Sequence, residues 1–171
     1  MNVKVYWHRF CCVITDTPAE ILSSGGRKGD VIMIMPKIEN KVVVRFRDGT
    51  MVKGYTYDFN PHKVVFHVTE TQYAKEVIEV SNSLLKAVFF VKTFEGNKDH
   101  RSSDEFSLDS LKNIPGLKVK VTFFDGEVMY GSTNGYAPER KGFFVFPADE
   151  ESNNERVFII RESTVAVETW R

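Results

Sequence analysis

The residues best equipped for chemistry in this sequence are four histidines, two adjacent cysteines, scattered serines and carboxylates, and a run of aromatic and polar side chains from Tyr55 to Lys63. His8, Cys11 and Cys12 are soft donors, but a tetrahedral metal site takes three or four ligands at set spacings, and no second cysteine pair accompanies them. No metal and no cofactor is therefore expected. A nucleophilic triad needs a Ser or Cys placed with a His and an acid. No Gly-x-Ser-x-Gly elbow occurs, and most serines fall in turns, where hydroxyls cap backbone groups. The Gly25-Gly26-Arg27-Lys28-Gly29 run lacks the spacing and βαβ context of a phosphate-cradling loop. Asp149-Glu150-Glu151 reads as a solvated loop. The expectation is a protein that is not an enzyme.

The elements that position these residues come from an internal repeat. Val42 to Thr71 lies on Val119 to Ala148 without a gap at a constant shift of 77, and ten of those thirty positions are identical. The shared residues are alternating apolar positions, turn formers and glycines, which dictate backbone shape. Val42, Val44 and Phe46 alternate as in a half-buried strand. Asp48-Gly49 then suits a type I′ hairpin, with a second strand over 50–57. Gly54 and its match Gly131 lie inside strands, where a bulge or bend is expected.

A turn at Asn60-Pro61-His62-Lys63 leads into a strand over 64–68, and further strands are expected at 77–80 and 85–91. The run Leu85 to Val91 is apolar enough to be buried on both faces. The second half repeats the plan with strands at 118–124, 127–134, 143–146, 157–160 and 164–169. The fold class expected is all-β: two tandem, duplicated, five-stranded small barrels with little helix, each closed so that no sheet edge is exposed. The domains are an N-terminal extension over 1–40, barrel 1 over 41–97, a polar linker over 98–116 with one helical turn at 107–112, and barrel 2 over 117–171. Within the extension, strand-like pieces run from Val3 to Trp7 and Phe10 to Thr15. The Gly/Arg/Lys loop before Met33 and Met35 has the composition of an in-frame ribosome-binding sequence, so a start at Met33 or Met35, with residues 1–32 an over-called extension, is kept as an alternative to Met1.

With 23 Lys+Arg against 23 Asp+Glu, the formal net charge is zero, which leaves no long-range field to draw in phosphate backbones or anionic lipid. No apolar stretch approaches the roughly 20 residues that cross a bilayer. Adjacent cysteines are poorly placed to bridge one another and fit a reducing compartment, so the location expected is the bacterial cytoplasm.

The candidate binding surface is Tyr55, Tyr57, Asp58, Asn60, His62 and Lys63, with Arg140 at the place matching Lys63. Aromatic rings beside polar groups at a strand-to-turn junction form a platform for peptides or bases. Phe59 is expected to close the end of its barrel, as Tyr136 stands at the matching place. Ser132 and Asn134 replace Tyr55 and Tyr57, so the scaffold does not need rings there. His62 and His67 match Glu139 and Phe144, and are likewise not demanded by the fold.

The pattern Val42-x-Val44-x-Phe46-x-Asp48-Gly49 with Gly54 resembles the first half of the motif of Sm-like proteins, and Val119 to Gly131 resembles it again. That likeness implies an Sm-like or SH3-like small barrel. Sm-like proteins carry an Asp six residues after the second glycine and a later Arg-Gly pair that helps hold uridine. Here Asn60 and Ala137 occupy the Asp position and no Arg-Gly follows, so uridine binding is not implied. Lys41 to Asn97, with Gly-Tyr-Thr-x-Asp-Phe-Asn-Pro at 54–61 and Leu-Lys-Ala-Val-Phe-Phe-Val at 85–91, is similar to an uncharacterised bacterial domain sometimes attached to PilZ domains, the receptors of cyclic di-GMP. The chain lacks the PilZ nucleotide-binding pattern. The function expected is a non-catalytic binding or adaptor module taking a protein or peptide partner, with RNA or nucleotide binding as the alternative and oligomeric state not readable.

Overall fold

Period-two alternation places Val42, Val44 and Phe46 on one side of the first strand. In the computed structural model of the chain this is β1 (Asn40–Phe46), with Val42 and Val44 fully buried. The structure describes residues 40–72, 76–96, 116–149 and 151–170. The strand-like pieces of the extension, the alternative start, His8 with Cys11 and Cys12, and the helical turn at 107–112 lie outside the described residues.

The ten strands expected after residue 40 are all present. The first half contains β1, β2 (Met51–Thr56), β3 (Val65–Val68), β4 (Ile78–Ser81) and β5 (Leu85–Val91). The second contains β6 (Leu117–Phe123), β7 (Val128–Thr133), β8 (Gly142–Pro147), β9 (Asn154–Ile160) and β10 (Thr164–Trp170). Among the described residues, helix is confined to two 3-10 turns, Asn82–Leu84 and Arg161–Ser163. No helix there is long and apolar enough to cross a membrane.

Strand pairing follows one pattern in both halves. Val42 of β1 faces Gly54 of β2, and Val119 of β6 faces Gly131 of β7. Val44 faces Val88 of β5, and Val121 faces Val167 of β10. Phe66 of β3 faces Val80 of β4, and Phe143 of β8 faces Ile159 of β9. The offset is 77 as far as β3 and β8; it becomes 79 afterwards, with β5 starting at Leu85 and β10 at Thr164.

Closure into separate barrels does not occur. The main sheet is open, eight strands in the order β10-β6-β7-β8-β9-β5-β1-β2, and β3 with β4 forms a two-stranded sheet tied to β2 by a Tyr55–Thr69 bridge. Competition for β5 explains the difference. One of its edges is taken by β1 and the other by β9 of the second half, where Val88 faces Phe158, so β4 finds no edge of β5 to close on.

β5 is buried at every residue, as its unbroken apolar run predicts. Leu85, Val88 and Phe90 join a core containing Val42, Val44, Phe66 and Val80, while Ala87, Phe89 and Val91 join one containing Val119, Val121 and Phe143. Phe158 and Ile160 of β9 reach into the first core, and Val157 and Ile159 remain in the second. Each such side chain contributes about 1.5–3 kcal/mol on burial, so neither half's core is complete without the other's strand. Asn153 fastens the margin of this joint: its Oδ1 accepts from the Thr93 N–H at 3.1 Å, and its Nδ2 donates to the Thr93 carbonyl at 2.9 Å.

The hairpin turns also differ from expectation. A type I′ turn needs positive φ at both central residues, yet Gly49 alone has it, at 86°. The Gly49 N–H donates to the Phe46 carbonyl at 3.2 Å and the Phe46 N–H to that of Thr50 at 2.9 Å, a three-residue loop with glycine at its left-handed position. Asp48 keeps negative φ and uses its Oδ1 to accept the Thr50 N–H at 2.9 Å. Gly126, also at 86°, and Asp125 repeat the arrangement. Gly54 and Gly131 sit in unbroken register rather than at bulges. They permit close approach instead: a Cβ on Gly54 would strike the Thr69 carbonyl and a Val68 methyl, and one on Gly131 the Phe146 carbonyl and a Val145 methyl.

Candidate functional site

The segment from Tyr55 to Lys63 leaves β2 through Thr56, which is fully buried, and turns before β3. Tyr55 exchanges backbone hydrogen bonds with Thr69 at 2.8 and 2.9 Å, and its ring stands edge-on to Phe94 with centroids 5.3 Å apart. Both tyrosines of the candidate surface, Tyr55 and Tyr57, are half-buried. Phe59 points inward, edge-on to Phe66 at 5.0 Å, Phe90 at 5.4 Å and Phe158 at 5.4 Å; it closes no barrel end, because no barrel forms, and packs instead on a core that includes β9. Tyr136 packs in the same manner on Phe143 at 4.9 Å.

Polar side chains fix the turn. Asn60 Oδ1 accepts the His62 N–H at 2.8 Å, and the Asn60 carbonyl accepts that of Lys63 at 3.1 Å. From the 3-10 turn after β4, Asn82 Nδ2 donates to the Lys63 carbonyl at 2.7 Å. Asp58 accepts the His67 backbone N–H at 2.9 Å and lies 2.7 Å from His67 Nδ1. Burial opposes ionisation of Asp58, but the hydrogen bonds from the His67 ring and backbone, with the charges of His67 and Lys63, outweigh it and hold the carboxyl below its ordinary value. His62 and Lys63 are exposed.

The structure thus gathers Asp58, Asn60, His62 and Lys63 on one braced turn beside the two tyrosines. Arg140 serves the matching turn of the second half, where its Nη1 donates to the Gly135 carbonyl at 3.2 Å.

Two features escape sequence reasoning. An open groove of about 440 Å³ is lined by Gly116, Leu117, Lys118, Thr133, Asn134 and Tyr136. Thr133, Asn134 and Tyr136 match Thr56, Tyr57 and Phe59 in sequence at the offset of 77. That offset was the available signal. The second feature is Lys86, 3% exposed within β5, whose Nζ lies 2.6 Å from Asp125 Oδ2 and 2.5 Å from Glu127 Oε2 of the β6–β7 turn. Arg45 completes the network, with Nη1 2.9 Å from Glu127 Oε2. The hydrogen bond from Lys86 holds the Asp125 carboxyl below its ordinary value.

A braced strand-to-turn junction on an all-β scaffold defines the chain only as a small β protein with a candidate surface. The chain belongs to DUF6982, a family of unknown function whose model matches residues 38–170. No curated protein and no solved structure is significantly similar to it.

Proposed function

We propose that the chain is a non-catalytic binding module, an adaptor or regulatory unit that takes a protein or peptide partner on the Tyr55–Lys63 surface. In this reading each half is one copy of a duplicated Sm-like or SH3-like unit, and the groove beside Tyr136 is the corresponding subsite of the second copy. The bracing of the turn by Asn60, Asn82 and Asp58 carries the proposal. A surface already held in shape loses little entropy on binding, and tyrosine offers contact area with only two torsions to immobilise.

The test is a peptide-display selection on the full chain, followed by the Tyr55→Ala/Tyr57→Ala double variant. Selected peptides should bind that variant at least tenfold more weakly, and unchanged affinity would refute the surface. If no peptide is selected and oligo-uridine binds with steep salt dependence, the RNA reading replaces this one.

A further inference from the structure

Among the described residues, β4 and β10 each pair along one side only, β4 with β3 and β10 with β6. An unpaired edge displays a row of free N–H and C=O groups, and soluble proteins usually guard it with charge. Each edge does carry one exposed carboxylate, Glu79 on β4 and Glu168 on β10, but at or beside both edges stand exposed apolar side chains at four places where the contacts between the halves use polar or charged ones.

Lys86 of β5, buried at the internal joint, is matched at the offset of 79 by Val165 of β10, which is 66% exposed. Arg156 faces Phe90 across the joint with its guanidinium 4.4 Å from the ring centroid; its match is Val77, just before β4 and 54% exposed. Ser163 is buried and donates to the Leu85 carbonyl at 2.9 Å; its match is Leu84, 59% exposed. Arg47 pairs with Glu162 across the joint at 2.9 Å; its match is Phe124, 48% exposed. With Val64, just before β3, five of the eight exposed large apolar side chains among the described residues lie at the two open ends.

We infer that β10 of one copy pairs antiparallel with β4 of a second copy, repeating between chains the joint that β5 and β9 make within one. The inference rests on reading the two halves as equivalent units. The register follows from the internal joint, where Ala87 faces Ile159, Val88 faces Phe158, Phe89 faces Val157 and Phe90 faces Arg156. At the same offset Ala166 faces the second copy's Val80, Val167 its Glu79, Glu168 its Ile78 and Thr169 its Val77. A second copy is the fitting occupant because the internal joint already shows a strand of the β5 kind accepted by a strand of the β4 kind. The two edges differ, so the contact is head-to-tail and generates a ring or an open filament.

Sedimentation velocity of the full chain tests this, with Val77→Lys blocking the β4 end and Val165→Lys the β10 end. The unmodified chain should sediment as two or more copies. Each variant alone should be monomeric with an unchanged far-ultraviolet circular dichroism spectrum, and an equimolar mixture of the two should give a dimer through the one intact pair of edges. Should either lysine variant lose its β spectrum, Leu84→Asp in the exposed turn blocks the β4 end in Val77→Lys's place, and Phe124→Asp blocks the β10 end in Val165→Lys's place. A monomeric unmodified chain, a singly blocked variant that still associates, or a mixture that stays monomeric overturns the proposal. The Tyr55→Ala/Tyr57→Ala variant should keep the full sedimenting mass, which separates failure here from failure of the peptide-binding surface.

Discussion

Lys86 Nζ, on a strand with no exposed residue, lies 2.6 Å from Asp125 Oδ2 on a turn of the other half. Removing the two ends of such a contact has unequal consequences. Lys86→Met keeps an apolar stem over the Phe123 ring and leaves Asp125 and Glu127, whose side chains are 42% and 36% exposed, to water. Its cost should stay within about 1 kcal/mol. Asp125→Asn with Glu127→Gln strands a buried ammonium and should cost about 3–5 kcal/mol. Urea denaturation of the two variants measures the contrast.

The same contact sets an acid limit. The folded-state pKa of Asp125 is depressed, so its contribution to stability is fully present above the unfolded carboxylate value of about 3.9 and is lost as pH falls through the lower folded value. Asp58 has the same sign. Melting temperature should hold steady from neutrality to about pH 5 and fall below about pH 4, with a shallower fall in Asp125→Asn. Equal acid slopes in the two proteins would remove Asp125 from the account.

Phe59 tests whether the halves unfold together. Its ring touches Phe66 and Phe90 of the first half and Phe144 and Phe158 of the second. Phe59→Ala should cost about 3 kcal/mol and shift one shared unfolding transition, read by calorimetry. Two separated transitions would show that the halves melt independently.

Four glycines that match at the offset of 77 should divide into two pairs. Gly49 and Gly126 have φ of 86° and open space where a Cβ would go, so alanine at either should cost about 1–2 kcal/mol from backbone strain alone. Gly54 and Gly131 face backbone carbonyls that cannot rotate away. Alanine there should cost more than at the turns, about 2–3 kcal/mol, measured in the same urea series.

The strands were legible because their signals are local. Alternation in Val42-Val43-Val44-Arg45-Phe46, the Asp-Gly turns and the matched glycines each act within a few residues. The unbroken run at Leu85 also announced burial on both sides. What the run does not carry is the identity of its neighbours, since the β9 residues that take the edge of β5 from β4 lie 63–72 positions away in sequence. The turn type was missed because the Asp48 carboxylate binds the Thr50 N–H, an interaction that a pattern of residue types does not weigh. Lys86 looks in sequence like a polar interruption, and its counter-ions lie 39 and 41 residues on. In the candidate surface, the match of Phe59 to Tyr136 signals that both rings pack inward, whereas the groove at Thr133, Asn134 and Tyr136 depends on Gly116, Leu117 and Lys118, at least 15 residues earlier in the chain.

The ladder between β5 and β9, fastened at its margin by Asn153 and Thr93, joins a strand of one half directly to a strand of the other. A gene divided anywhere within codons 97–115 should therefore yield two short polypeptides that find each other and assemble into the same sheet.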